Sequence, residues 1–162
     1  MSITFNADEV YEMAEEIERN GAKFYRAAAA KSSDESIKTM LMDMAAMEDE
    51  HLKIFQDMRT QLSESEKESN IYDPQNEAAM YLQTMADSKG TEGLKAPGIK
   101  LSGNESMSEV LQIAIEAEKN SILFYVGLRE LVPASGGRDK LEMIIKEEVG
   151  HVAILKAKQK KL

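Results

Sequence analysis

Four stretches of the chain place apolar residues in steps of three and four. Val10, Ala14, Ile17, Gly21, Phe24, Tyr25 and Ala28 form the first stripe, and Ile37, Leu41, Met44, Phe55 and Met58 the second. Leu111, Ala114, Tyr125 and Leu128 continue the pattern in a third, and Leu141, Ile144 and Leu155 in a fourth. This is the period of amphipathic helices that bury one face. The first helix is predicted to start near Ala7, with Asn6 as its cap and Glu9 completing a capping-box pair, and to end at Lys31 before Ser32-Ser33-Asp34. The second runs from about Glu35 to Leu62. The third follows Ser106, where Glu109 completes Ser-x-x-Glu, and the fourth spans about Arg138 to Lys160 after a turn at 133–137. Residues 63–104 break the pattern. They hold an Asp73-Pro74 start for a short helix to about Asp87, then a Gly-rich loop. A connection of this length suits a crossover along a bundle rather than a tight hairpin. The expected architecture is all-α: an antiparallel four-helix bundle in one domain over 1–162. It would consist of a hairpin at 6–63, a long crossover with a short helix at 64–104, and a second hairpin at 105–162.

Ionisable residues interrupt each apolar stripe. Glu18 lies between Ala14 and Gly21, and Glu118 between Ala114 and Ser121; Glu48 and His51 follow Met44, and Glu148 and His151 follow Ile144. His51 and His151 are the chain's 2 histidines, and each ends a Glu-x-x-His. The two halves align at an offset of one hundred: Glu9/Glu109, Ala14/Ala114, Glu18/Glu118, Phe24/Phe124, Tyr25/Tyr125, Leu41/Leu141, Glu48/Glu148 and His51/His151. A duplicated hairpin with agreeing core positions accounts for the apolar pairs, but not for polar identities on an apolar face. The midpoint of 18 and 48 falls at 33, and that of 118 and 148 at 133, both in turns. Antiparallel helices therefore bring each Glu level with its Glu-x-x-His, about 22 Å from the turn at ~1.5 Å per residue.

Glu and His three residues apart share one helix face. Two Glu plus two Glu-x-x-His is the donor set of dinuclear carboxylate sites inside helical bundles. Unpaired buried carboxylates each cost several kcal/mol or become protonated. Two divalent cations balance four carboxylates with both histidines neutral, and the stripes carry no matching set of Lys or Arg. The candidate ligands are Glu18, Glu48, His51, Glu118, Glu148 and His151. Mixed oxygen and nitrogen donors suit iron or manganese, and zinc can also bind. Spare coordination positions admit a small oxidant. Tyr25 and Tyr125, two turns beyond Glu18 and Glu118, are candidates to hydrogen-bond the ligands, or else are aromatic core. Glu15, one turn before Glu18, is either an extra ligand or a solvated residue; its repeat partner is Ile115. The 11 methionines read as core filler.

Composition narrows the setting. The 162 residues are 43% hydrophobic and 30% charged, as in globular proteins, with no cysteine to form disulfides or thiolate metal sites. A net charge of -9 disfavours nucleic acid as a partner. No apolar run approaches the roughly 20 residues that span a bilayer, and Met1 to Asn6 lacks the features of a secretory signal. A cytoplasmic protein without membrane association is expected.

The segments Glu18-x5-Phe24-Tyr25 and Glu118-x5-Phe124-Tyr125, each followed by Glu-x-x-His, resemble the ferritin-like superfamily of di-iron carboxylate proteins, in its rubrerythrin branch. The resemblance covers both hairpins. It implies a four-helix bundle with a long crossover, a centre of two iron ions on the six residues named, reduction of hydrogen peroxide or activation of dioxygen, and a homodimer. The chain departs from full rubrerythrins in two respects. Without cysteine it has no rubredoxin module, so electrons would come from a separate donor such as a rubredoxin-type protein. Where the branch carries an additional Glu in its third helix, the positions one turn from Glu118 hold Ala114, Ile115 and Ile122. The leading expectation is an oxidoreductase of peroxidase type. The alternatives are a ferroxidase or iron-handling protein, a dioxygen-activating oxidase or oxygenase, and a bundle whose metal only stabilises the fold.

Overall fold

In the computed structural model, which describes residues 6–64, 101–132 and 137–162 and positions 67, 75, 77, 80, 81 and 84, four long helices account for most of the chain. They are α1 (Ala7–Lys31), α2 (Glu35–Thr60), α3 (Met107–Leu131) and α4 (Arg138–Gln159). The starts follow from local chemistry. Asn6 and Glu9 close a reciprocal capping box on α1, and Ser106 and Glu109 do the same on α3. Asp34, which the sequence suggested only as part of a break, caps α2 by accepting from the Ser36 and Ile37 amides. At the start of α4, Gly137 has φ 94°, a left-handed conformation that an L side chain strains to adopt. Lys31, Arg59 and Lys156 with Lys158 lie in the last turns of α1, α2 and α4, where positive charge opposes the helix dipole.

The helices pair as two hairpins, α1 with α2 and α3 with α4, and the hairpins meet along α1–α3 and α2–α4. The facing pairs run in opposite senses: Tyr25 meets Glu118 while Tyr125 meets Glu18, and His51 meets Glu148 while His151 meets Glu48. This is the expected antiparallel bundle. The inward rows of α2 (Ile37, Leu41, Met44, Glu48, His51, Phe55, Met58) and α4 (Leu141, Ile144, Glu148, His151, Leu155) are buried throughout, as the period requires. Two apolar clusters result. One packs Val10, Phe55, Tyr125, Leu128 and Ile144 near one end; the other packs Phe24, Tyr25, Leu41, Leu111 and Leu155 near the opposite end. The six predicted donors lie between them.

The short helix expected from Pro74 to Asp87 and the turn at 133–136 fall outside the described residues, apart from isolated positions. One of these, Tyr81, donates to the Leu123 carbonyl on α3, and its ring lies where a side chain on Gly127 would project. The crossover thus touches the third helix at that point. No helix of the described residues is long and apolar enough to cross a membrane.

Candidate metal centre

Each of the four helices carries at least one of the six residues into the gap between the apolar clusters. Glu18 and Glu148 have no exposed surface; His51 and His151 are 1% exposed, and Glu48 and Glu118 4%. Their donor atoms form two groups. Those of Glu18, Glu48, His51 and Glu148 lie within 4.8 Å of one another, and so do those of Glu48, Glu118, Glu148 and His151. Donors about 2.1 Å from a common cation are at most about 4.2 Å apart, so each group is close to coordinating size. Glu48 and Glu148 belong to both groups. The two oxygens of Glu148 divide between them, Oε1 3.0 Å from His51 Nδ1 and Oε2 2.9 Å from His151 Nδ1. The arrangement has approximate twofold symmetry, with each Glu-x-x-His supplying one shared carboxylate and one terminal imidazole.

Five of the six residues also carry an atom without a hydrogen-bond partner. Glu18 Oε2, Glu48 Oε1, both oxygens of Glu148 and Nδ1 of both histidines are buried with no hydrogen-bond partner. Native proteins seldom leave such atoms unsatisfied, because each costs about 1–3 kcal/mol or more when charged. Six of them facing one another fit a site that cations would satisfy. The oxygen and nitrogen donor set fits iron, manganese or zinc.

Without a cation the cluster holds protons instead. Burial, then the neighbouring Glu48 and Glu148 carboxylates respectively, push Glu18 and Glu118 well above the usual carboxylate range. Burial opposes charge on the histidines as well, but adjacent carboxylates outweigh it. Glu148 and Glu18 raise His51 to about 11, and Glu118, Glu148 and Glu48 raise His151 to about 12. For Glu148, burial acts upward, and the two imidazoles it faces reverse the direction and hold it low.

The tyrosines connect the two halves. Tyr25 donates to Glu118 Oε1, and Tyr125 to Glu18 Oε1. Each therefore serves the glutamate of the opposite hairpin, since two turns of helix separate it from the glutamate on its own. Burial and the adjacent carboxylate raise both phenols well above their ordinary range, which keeps them protonated as donors. Glu15 is placed elsewhere. It is 7% exposed and faces two cations of the protein, with Arg59 Nη1 3.4 Å and Arg19 Nη2 3.7 Å from its carboxylate. Arg59 also forks onto Asp8, at 2.7 and 2.8 Å.

Two contacts had not been anticipated. His51 Nε2 lies 2.7 Å from Glu147 Oε2, and His151 Nε2 lies 3.4 Å from Met47 Sδ. Positions 47 and 147 are repeat partners that differ, immediately before the aligned Glu48 and Glu148. That mismatch was visible in the alignment of the two halves.

A rubrerythrin family model matches residues 9–159. The chain belongs to the rubrerythrin family. Its fold is that of a solved structure described as a candidate ferritin-like diiron-carboxylate protein from Thermotoga maritima. That structure is similar at 23% identity with a TM-score of 0.71, over 97% of this chain and 96% of that one. At this identity the likeness speaks for the fold. No curated protein matches the chain at a significant level.

Proposed function

We propose that this rubrerythrin-family protein holds two iron ions and reduces hydrogen peroxide to water with electrons from a separate donor protein. Glu18, Glu48, Glu148 and His51 would hold one ion, and Glu48, Glu118, Glu148 and His151 the other. The observation that carries the reading is the pair of overlapping four-residue groups, in which Glu18, Glu48, Glu148 and both histidines have buried donor atoms without a hydrogen-bond partner. Two such ions together supply two one-electron equivalents and open positions for a small oxidant.

The chain's own residues supply the setting. Glu48 and Glu148, one from each hairpin, fix the spacing of the two positions. Tyr25 and Tyr125 hold the outer carboxylates in place across the bundle. The apolar clusters on either side keep bulk water out, which strengthens electrostatic interactions within. The overall reaction consumes one peroxide, two electrons and two protons and yields two waters. A chain with no cysteine has no thiolate-bound iron to relay electrons, which favours an external donor. Rapid mixing of the reduced, iron-loaded protein with peroxide under anaerobic conditions tests the proposal. A single fast oxidation, well ahead of that by dioxygen, is expected. Oxidation by peroxide no faster than by dioxygen would overturn the peroxidase assignment while leaving the metal site standing.

A further inference from the structure

The two hairpins place all six donor residues and both tyrosines at repeat-equivalent positions. The correspondence fails at the outer nitrogens of the histidines. Each Nδ1 faces the carboxylate cluster, so with a cation there the ring proton resides on Nε2. His51 Nε2 then donates to the Glu147 carboxylate at 2.7 Å. His151 Nε2 meets the Met47 thioether at 3.4 Å, a weak acceptor. The rings stack at 6.0 Å with 22° between their planes; His51 Nδ1 faces Glu18 and Glu148, and His151 Nδ1 faces Glu48, Glu118 and Glu148. A carboxylate on the far nitrogen of a ligating imidazole fixes the tautomer and orientation and strengthens the ligating nitrogen as a donor; losing such a partner typically costs 10–100-fold in metal affinity. A thioether does little of either.

We propose that Glu147 makes the two cation positions unequal: the one served by Glu18 and His51 fills first and more tightly, and the one served by Glu118 and His151 fills second. Glu147 is a positioning residue acting through His51. The inference rests on the two-cation reading above and adds to it an order of filling set by one side chain. Both side chains concerned reach the surface, Glu147 with 40% of its side chain exposed and Met47 with 36% exposure, so exchanging them leaves the core intact. The Glu147 contact is weakened by that exposure, which places the expected effect toward the lower end of the range.

The test is a titration of the metal-free full chain with Co²⁺, followed by visible absorption and by proton NMR of the shifted imidazole N–H signals. Two steps at least tenfold apart in affinity are expected. Glu147→Met, which copies the Met47 side, should weaken the first step roughly tenfold and bring the two together. Met47→Glu should strengthen the second step and bring them together from the other direction. Glu147→Gln keeps an acceptor without the charge and should fall between wild type and Glu147→Met, with only the His51 N–H signal moving. Glu142→Gln, an exposed charge change on the same helix, should leave both steps in place. Equal steps in the wild type, an unchanged separation in Glu147→Met, or a shift in Glu142→Gln as large as that in Glu147→Gln would each overturn the inference. Failure to bind two ions at all would instead remove the reading beneath it.

Discussion

Replacing Gly21 with Ala separates the stability of the bundle from the integrity of the metal centre. Gly21 lies in the middle of α1, where Gly costs roughly 0.5–1 kcal/mol relative to Ala through backbone entropy. On that ground alone the variant should be more stable. A Cβ at this position, however, would stand 2.8 Å from Glu48 Oε2 and 3.3 Å from its carboxyl carbon. Ordinary contact begins at 3.4 Å, so the carboxylate must withdraw by about 0.6 Å. In the metal-free protein the end of a flexible side chain can do so, and the helix gain survives; at about 2–4 °C per kcal/mol for a chain of this size, the midpoint should rise by up to about 4 °C. With cations bound, the same carboxylate is fixed between two positions, and coordination tolerates only about 0.2 Å. Affinity for Mn²⁺ or Co²⁺ should therefore fall at least tenfold, or about 1.4 kcal/mol. Thermal melts with and without chelator, together with metal titration, read both effects. Ser121→Ala is the control at the repeat-equivalent position, because the Ser121 hydroxyl is engaged by the Ala117 carbonyl at 3.1 Å. A Gly21→Ala protein that is stabilised without cations and binds them as tightly as wild type would refute the role given to Glu48.

Three other outcomes follow from the same geometry. Tyr125→Phe and Tyr25→Phe each leave a buried carboxylate oxygen without its donor; metal affinity should drop by about 10–100-fold while the helical circular dichroism is retained, and the double variant should lose more than either single one. Metal binding should release protons, since His51 and His151, raised to about 11 and about 12, must surrender theirs, and Glu18 and Glu118, also raised, add to the count. Calorimetry in buffers of different ionisation enthalpy at pH 7 should give two to four protons per pair of ions and an affinity that weakens as pH falls; release of fewer than one would contradict the charge state described. Arg59→Ala should destabilise the fold by about 1–3 kcal/mol, because it removes the fork on Asp8 and one of the two cations facing the buried Glu15, yet leave the number of bound ions unchanged. Asp8 is held below its ordinary value by the Arg59 guanidinium, so this contribution is present above pH ~4 and disappears as acid protonates Asp8 in the wild type.

That these six ionisable side chains meet in the bundle interior was legible in the sequence, because burying a charge is expensive. A Glu or His in phase with Leu, Ala and Ile needs a partner, and a second copy one hundred residues on made coincidence a poor explanation. The helix starts at Asn6 and Ser106 were legible because capping boxes are local chemistry. How the two hairpins face each other was not. That packing decides that Glu48 and Glu148 belong to both four-residue groups and that each tyrosine crosses to the other hairpin. Glu15 shows the same limit: its position one turn from Glu18 allowed a ligand, whereas its carboxylate meets Arg59 of α2, 44 residues further along the chain. Glu147 and Met47 stood in plain view as a mismatched repeat pair, but their significance depends on which ring each one touches.

The most direct test of the central claim is anomalous diffraction from crystals of the protein loaded with iron, with data collected at the iron absorption edge. Two peaks are predicted in the buried gap, one bounded by Glu18 and His51 and the other by Glu118 and His151, with Glu48 and Glu148 reaching both. A vacant gap, or peaks confined to surface carboxylates, would contradict it.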